Sequence, residues 1–163
     1  MDDAAILSEL GRMAVGGAAL ELRASLIAAA ALGLPQRTGM YLLGRETTSR
    51  TFDHAAEALR AAPASDARDL ALRWIADSRT AYQNRNRLLH SVAARTADGE
   101  LYQIRISSSL TGPAFEEHPV DIEEVRAAAH ELDALSGDFD EAITAALIRD
   151  LPYTRPALGH PPS

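Results

Sequence analysis

Apolar residues recur every three or four positions along most of the chain, which is the spacing of one face of an α-helix. The longest such segment runs from about Asp3 to Leu34 and carries a seven-residue repeat. The repeat positions are Ile6, Leu10, Met13, Gly17, Leu20, Ala24, Ile27 and Ala31. Gly16 and Gly17 fall in mid-helix, where each glycine costs about 1 kcal/mol relative to alanine. We therefore expect another helix to approach closely at these two glycines.

Two further helices are predicted before the centre of the chain. The first follows the polar turn Thr47-Thr48-Ser49 and ends near Pro63, and the pattern leaves open whether residues 38–43 form a helical turn of their own. The next helix, the third long one, begins after the N-cap candidate Ser65 and extends to about Ser91. Its apolar seam comprises Ala71, Trp74, Ser78, Ala81, Arg85, Leu88 and Val92. Arg85 is out of place there, because a lone charge in an apolar stripe is costly.

A short β-hairpin is predicted after the third long helix, over about residues 92–108. Asp98-Gly99 is typical of a tight two-residue turn. After the turn, apolar Tyr102, Ile104 and Ile106 alternate with polar residues, which indicates a half-buried strand that pairs with residues 92–96. A loop containing Gly112 and Pro113 is then expected.

The C-terminal part of the chain returns to the helical pattern. Asp121 and Glu124 form a capping box, which predicts a helix start, and Gly137 is expected to break that helix. A second cap at Asp138 predicts one more helix, and the proline-rich residues 151–163 are expected to be a flexible tail. The elements together predict an all-α fold of four or five helices with a small hairpin, in a single domain over residues 1–150.

Composition supports this fold and excludes several classes of site. The chain has 163 residues, 47% of them hydrophobic, and 32 of them are alanine, the best helix former. It has no cysteine, which excludes disulfide scaffolds and cysteine-ligated metal sites. The start lacks the basic segment of a signal peptide, and no run of 18 apolar residues occurs, so we expect a cytoplasmic protein.

Charge is distributed unevenly along the chain. The net charge is −7, yet residues 65–95 carry a net charge of +3 and residues 96–163 carry −9. The basic central helix is either a local anion site or is neutralised by an acidic helix packed beside it. The acidic total argues against tight non-specific binding to long duplex nucleic acid.

The string Arg85-Asn86-Arg87-Leu88-Leu89-His90 lies toward the end of the third long helix. It resembles the R-x4–6-H motif of the HEPN superfamily, in which a polar residue usually follows the arginine. The order of helices and the hairpin after His90 are similar to HEPN proteins as well. A second match, from Arg155 to His160, lies in the proline-rich tail and cannot be helical.

The resemblance implies a HEPN-like bundle that acts as a metal-independent endoribonuclease on single-stranded RNA through attack by the 2′-hydroxyl. His90 is then the general base or acid, Arg85 binds the phosphate and Asn86 orients either group. Arg79, which shares a helix face with Asn86 and His90, and Arg87 are assigned to substrate binding. No metal or cofactor is expected. The resemblance further implies a homodimer, a role as a toxin or in host defence, and a nucleotidyltransferase-type antitoxin as partner.

Other interpretations remain open at this point. Arg85 can pair with a buried acid such as Glu21 or Asp77, and His90 can simply complement the helix dipole. The chain is then a non-catalytic helical interaction module that binds protein or RNA, or, with less support, a regulatory bundle for a small ligand. The remaining candidates are weaker: His54, His118 and His130 lack metal-ligand spacing, and Trp74 and Tyr82 are assigned to packing.

Overall fold

The computed structural model describes residues 3–95, 99, 101–109 and 112–138. Within these residues the chain is mostly helical, with five helices and one antiparallel three-stranded sheet. The helices are α1 (Asp3–Ala31), α2 (Gln36–Leu43), α3 (Thr48–Ala61), α4 (Asp66–Ser91) and α5 (Ile122–Asp138). The strands are β1 (Val92–Arg95), β2 (Leu101–Ser109) and β3 (Gly112–Pro119).

Two predicted helix starts, at Ser65 and Asp121, are confirmed by their capping contacts, whereas α3 begins after Thr47 without a side-chain cap. The hydroxyl of Ser65 accepts a hydrogen bond from the backbone N–H of Arg68 at 3.1 Å, which satisfies a donor in the first turn of α4. The carboxylate of Asp121 accepts from the backbone N–H groups of Glu123 at 2.9 Å and Glu124 at 3.4 Å. The long segments of helical periodicity therefore form α1, α3, α4 and α5.

The structure answers one question that the sequence left open and differs from two predictions. Residues 36–43, which include the segment left open by the pattern, form the separate helix α2. The loop expected around Gly112 and Pro113 is wrong, because this segment is strand β3, and the hairpin becomes a three-stranded sheet. The break expected at Gly137 is also wrong, since α5 continues through that residue to Asp138.

The sheet follows α4 directly and has the strand order β1-β2-β3. The register of β1 shifts between Val92 and Ala94. Gly99 has a positive φ of 85°, a conformation that glycine adopts without strain. The alternation along β2 predicts Gln103 on the polar face, but Gln103 is buried. Its hydrogen bonds, described with the candidate site, explain why an amide is tolerated there.

The chain divides into two compact units by its internal contacts. Unit 1 comprises Met1–Ala18 and Thr80–Ala134. Its buried core includes Ile6, Met13, Ala81, Leu88, Val125, Ala129 and Leu132. A Cβ atom at Gly16 would lie 2.9 Å from the Cβ of Leu132 in α5, and one at Gly17 would lie 2.8 Å from Nε of Arg85 in α4. The close helix approach predicted at the two glycines is thereby confirmed.

Unit 2 comprises Ala19–Arg79 and Leu135–Ser163, of which residues 19–79 and 135–138 are described. Its buried core includes Leu20, Ala24, Ile27, Phe52, Leu59 and Trp74. The indole N–H of Trp74 donates to the carbonyl of Leu135 at 2.9 Å, so this ring is a packing residue, as predicted. Helix α2 is held close to α1, since a Cβ at Gly39 would lie 2.2 Å from the Cβ of Ala29.

Several expectations lie outside the described residues: the turn at Asp98, the helix after Asp138, the tail over 151–163, and the second motif match. The single domain over 1–150 stays a prediction. One described helix segment, Ala4–Ala31, is long and apolar enough to cross a membrane by length and composition, with a mean hydropathy of 1.4 in its most apolar window. Half of that window is buried, and core helices of soluble proteins meet the same criterion, so the cytoplasmic placement stays a prediction.

Candidate active site around Arg85

Arg85 projects from the apolar seam of α4, between Ala81 and Leu88, which are both buried. The sequence predicts this position, because the 3.6-residue period places residues 81, 85 and 88 on one face. The side chain of Arg85 itself is half-buried. A guanidinium that stays ionised at such a position needs partners that compensate for the water it has lost.

The partners of Arg85 are a glycine, an aromatic ring and an amide. Gly17 of α1 leaves room for its stem, since a Cβ at that glycine would lie 3.3 Å from both Cδ and Cζ of the arginine. Cζ of Arg85 lies 5.3 Å from the centroid of the Tyr82 ring, within the range of a cation–π contact. Nη1 donates a hydrogen bond to Oδ1 of Asn86 at 2.7 Å. We call Gly17, Tyr82 and Asn86 the arginine seat.

No carboxylate belongs to the arginine seat. Among the described residues of unit 1, the Arg85 guanidinium forms no ion pair, and its buried Nε has no hydrogen-bond acceptor within the described part of the chain. Glu21 and Asp77, the two acids considered from the sequence, both belong to unit 2. The seat therefore holds an ionised group whose charge no described acid in its own unit balances, which is the electrostatic condition for binding an anion.

The contact with Arg85 determines the orientation of the Asn86 amide. A guanidinium only donates hydrogen bonds, so the oxygen of the amide must face it. The amide nitrogen, Nδ2, then retains two N–H donors that no described residue uses. Asn86 thus adds neutral donors to the charge of Arg85 instead of acting as an acceptor for His90.

His90 lies in the last turn of α4 and is exposed. It follows Asn86 by four residues, so the two side chains share one face of the helix. Within the described residues, the imidazole has no hydrogen-bond partner. Both ring nitrogens are consequently available to exchange a proton with a ligand, and their tautomer is not fixed by a described neighbour.

A buried polar contact fixes the backbone immediately after His90. The hydroxyl of Ser91 lies 3.0 Å from both the carbonyl of Leu88 and Oε1 of Gln103. The amide nitrogen of Gln103 donates to the carbonyl of Pro119 at 3.4 Å. The end of α4 is therefore tied to β2 and to the end of β3, which sets the direction in which His90 leaves the helix.

The two arginines assigned to substrate binding are both ion-paired. Arg87 is exposed, and its Nη2 forms a short contact with the carboxylate of Glu124 and donates to Oδ1 of Asn84 at 2.7 Å. Arg79 belongs to unit 2, where its Nη2 lies 2.7 Å from Asp53. Each of these ion pairs has to open before the arginine can bind a phosphate.

The structure thus brings Arg85 and Asn86 into contact and places His90 on the same helix face as Asn86. Arg79 and Arg87 instead form ion pairs with other residues. From the sequence, Tyr82 and Gly17 are assigned to packing alone, and neither Ser91 nor Gln103 stands out. The signal for Tyr82 was its position one turn before Arg85. Because Arg85 offers cationic donors and Asn86 offers neutral N–H donors, the site suits an anion. Within the described residues, no group of three His, Asp or Glu side chains is placed to hold a metal ion.

Comparison with known proteins adds no relative. No family model matches the chain, and no curated protein and no solved structure matches it. The resemblance to the HEPN superfamily therefore stays a prediction that rests on residues 85–90 and on the order of the helices.

Proposed function

We propose that this chain is a metal-independent endoribonuclease of the HEPN type that cleaves single-stranded RNA. The observation that carries the proposal is Arg85 in the arginine seat: a half-buried guanidinium without a carboxylate partner in the described residues of its unit, on the same helix as the exposed His90. Sequestering a cation in this way costs stability, and a bound phosphate is the group that offsets the cost.

The chemistry follows from the donors present. Arg85 and the Nδ2 group of Asn86 bind the non-bridging oxygens of the scissile phosphate, where negative charge grows in the transition state. His90 removes the proton from the ribose 2′-hydroxyl, whose oxygen then attacks phosphorus. The bond from phosphorus to the 5′ oxygen breaks, leaving a 2′,3′-cyclic phosphate on one fragment and a 5′-hydroxyl on the other.

The leaving 5′ oxygen needs a proton, and in-line displacement puts it opposite the attacking oxygen. One imidazole cannot reach both positions in the same step. We therefore infer a homodimer in which two copies of the Asn86 and His90 face line one groove, so that one imidazole acts as base and the other as acid. We further propose that the protein acts in the cytoplasm as a toxin or in host defence, with a nucleotidyltransferase-type antitoxin as partner. The role and the partner rest on the family resemblance alone.

The deciding experiment incubates the purified chain with end-labelled RNA in the presence of EDTA. We expect cleavage products that end in a cyclic phosphate, and a loss of about 100- to 10,000-fold in rate for His90→Ala, the usual range for general acid–base catalysis. His130→Ala removes an exposed histidine from α5 and is the matched control, expected to retain full activity. Equal rates for wild type and His90→Ala, or loss of cleavage with EDTA, contradict the proposal.

The second candidate is a non-catalytic interaction module that binds protein or RNA. It is favoured by the ion pairs of Arg79 and Arg87 and by the lack of any described group that orients His90. This candidate predicts that RNA binds without being cleaved, and that Arg85→Ala weakens binding while His90→Ala does not. The same two variants in the cleavage assay therefore separate the two functions.

A further inference from the structure

Helix α2 and the residue that follows Gly44 form an exposed ridge that contains none of the proposed catalytic residues. Gly39 and Leu43 are buried and anchor the helix, and the opposite side carries Tyr41, which is 62% exposed. Arg37 precedes Tyr41 by one turn, and Arg45 follows it by one turn, just beyond Gly44, whose φ of −67° and ψ of −3° continue the helical path. Both arginines are exposed. We call Arg37, Tyr41 and Arg45 the α2 ridge.

Tyr41 is held in place by one of these arginines. Cζ of Arg45 lies 4.6 Å from the centroid of the Tyr41 ring, and its Nη2 donates to the tyrosine hydroxyl at 2.6 Å. Ordering two long exposed side chains costs conformational entropy. Because Tyr41 and Arg45 are already ordered, a ligand that binds them does not have to meet this cost again. Of the other aromatic side chains whose exposure is described, Phe52 and Trp74 are buried and Tyr82 and Tyr102 are half-buried.

The chain segment that carries the ridge is positively charged, although the protein as a whole is acidic. The chain carries a net charge of −7, yet residues 22–45 contain three arginines and no aspartate or glutamate. The next acid, Glu46, is engaged by Arg50 at 3.2 Å. Arg37 has no ion pair with a described residue. A cationic surface with an exposed ring suits a ligand that is both anionic and aromatic.

We propose that the α2 ridge binds single-stranded RNA, with a base stacked on Tyr41 and neighbouring phosphates bound by Arg37 and Arg45. Met40 and Leu42, which are exposed on either side of the tyrosine, supply apolar contacts to the bases or riboses. The choice of RNA over other single strands rests on the proposed function. The ridge is a binding site in unit 2 with no part in the chemical step at Arg85 and His90.

The test measures binding apart from cleavage. The full chain carrying His90→Ala is titrated into a fluorescein-labelled oligouridine of about 12 nucleotides, within the usual length of single-strand sites, and the dissociation constant is obtained from anisotropy. We expect Tyr41→Ala to raise the dissociation constant roughly 5- to 100-fold, because a stacked base contributes that much. Tyr41→Phe keeps the ring and is expected to retain most of the affinity.

The arginines are tested by the salt dependence of binding. Arg37→Gln and Arg45→Gln should each weaken binding and lower the slope of log affinity against log salt by about 0.7, the value for one phosphate contact on a single strand. Arg73→Gln is the matched control, because Arg73 is exposed on α4 in the same unit and its loss changes the net charge equally. It should leave both affinity and slope unchanged.

Each remaining outcome has a definite meaning. Unchanged affinity in Tyr41→Ala, or equal effects of Arg37→Gln and Arg73→Gln, overturns the inference. Loss of self-association in Tyr41→Ala without a change in oligouridine binding assigns the ridge to a protein partner and overturns it as well. Failure of the wild-type chain to cleave RNA, with ridge-dependent binding intact, contradicts the proposed function but not the ridge.

Discussion

Two arginines on α4, only two residues apart, lie in opposite environments. Arg87 is exposed and bound to the carboxylate of Glu124, with Asn84 accepting a second hydrogen bond. Arg85 is half-buried, and its hydrogen-bonding partner is the neutral amide of Asn86. Arg12, another arginine of unit 1, is half-buried like Arg85 but ion-paired like Arg87: it contacts Asp133 at 2.5 Å, and this hydrogen bond raises the pKa of the Arg12 guanidinium.

The comparison contrasts a surface charge that is neutralised by an ion pair, that of Arg87, with a charge that has no such partner among the described residues of unit 1, that of Arg85. A surface ion pair contributes little to stability and leaves no net charge to act on a ligand. Arg85 has no carboxylate partner among the described residues of its unit, and we expect its position to be at least as stable with an apolar side chain. A residue kept at a cost to stability points to a function, and the variants below test that interpretation by making Arg85 resemble its neighbours.

Arg85→Met is expected to have the largest effect. Methionine fills the space over Gly17 and Tyr82 but carries no charge, so RNA cleavage should fall by about 100-fold or more. The free energy of unfolding, measured with urea, should stay constant or rise by about 1 kcal/mol. A fall of more than about 2 kcal/mol together with normal cleavage would make Arg85 a structural residue.

Asn86→Asp turns the environment of Arg85 into that of Arg87. A carboxylate at the distance of the present amide neutralises the guanidinium and removes the Nδ2 donors, so we expect cleavage to fall by about 10- to 100-fold. Asn84→Asp is the matched control, because it places the same charge beside Arg87, which is already paired. Cleavage rates of both variants, measured at one ionic strength, decide the matter; equal losses would contradict a specific role for Asn86.

Alanine substitutions at the glycines of α1 distinguish a contact that supports packing, Gly16 with Leu132, from one that positions Arg85, at Gly17. Gly16→Ala forces the Cβ of Leu132 to move and should lower the free energy of unfolding by about 1–3 kcal/mol. Gly17→Ala meets the flexible stem of Arg85, so we expect a smaller loss of stability but about a tenfold loss of cleavage. Gly11→Ala has open space around it and should stabilise the chain by up to about 1 kcal/mol.

In this series, thermal unfolding and cleavage are measured on the same preparations. If Gly17→Ala retains full cleavage, the arginine seat does not position Arg85.

Arg87→Gln is expected to have the smallest effect. The contact with Glu124 joins an exposed arginine to a half-buried carboxylate near the surface, so its loss should change the free energy of unfolding by no more than about 1 kcal/mol, and cleavage should stay within twofold. Denaturation with urea and the cleavage assay check both numbers. A large loss of cleavage would restore Arg87 as a substrate-binding residue.

The sequence predicts those parts of the fold that local patterns determine. The caps at Ser65 and Asp121 and the periodicity of α1 and α4 locate the helices because each signal lies within a few residues of its effect. Strand β3 was missed because Gly112 and Pro113 are typical of loops, and what stabilises that strand is pairing with β2, a contact that local pattern does not encode.

The candidate site shows the same division. Periodicity alone indicated that Arg85 sits in an apolar stripe and that Asn86 and His90 share a face. It could not show that Gly17 makes room for Arg85, because the two residues come from different helices. Nor could it show that Gln103 is buried, since the amide is accepted there through its contacts with Ser91 and Pro119, which only the tertiary structure brings together.

The glycine pair of α1 also links residues that are synthesised far apart in time. Gly17 contacts Arg85 of α4 and Gly16 contacts Leu132 near the end of α5, so α1 is made well before either of these two contacts can form. The neighbours of Arg85 are complete once residue 86 has been made, whereas the close approach of α1 to α5 has to wait for residue 132. The helix packing of unit 1 is therefore finished only after nearly all of the described chain has been synthesised.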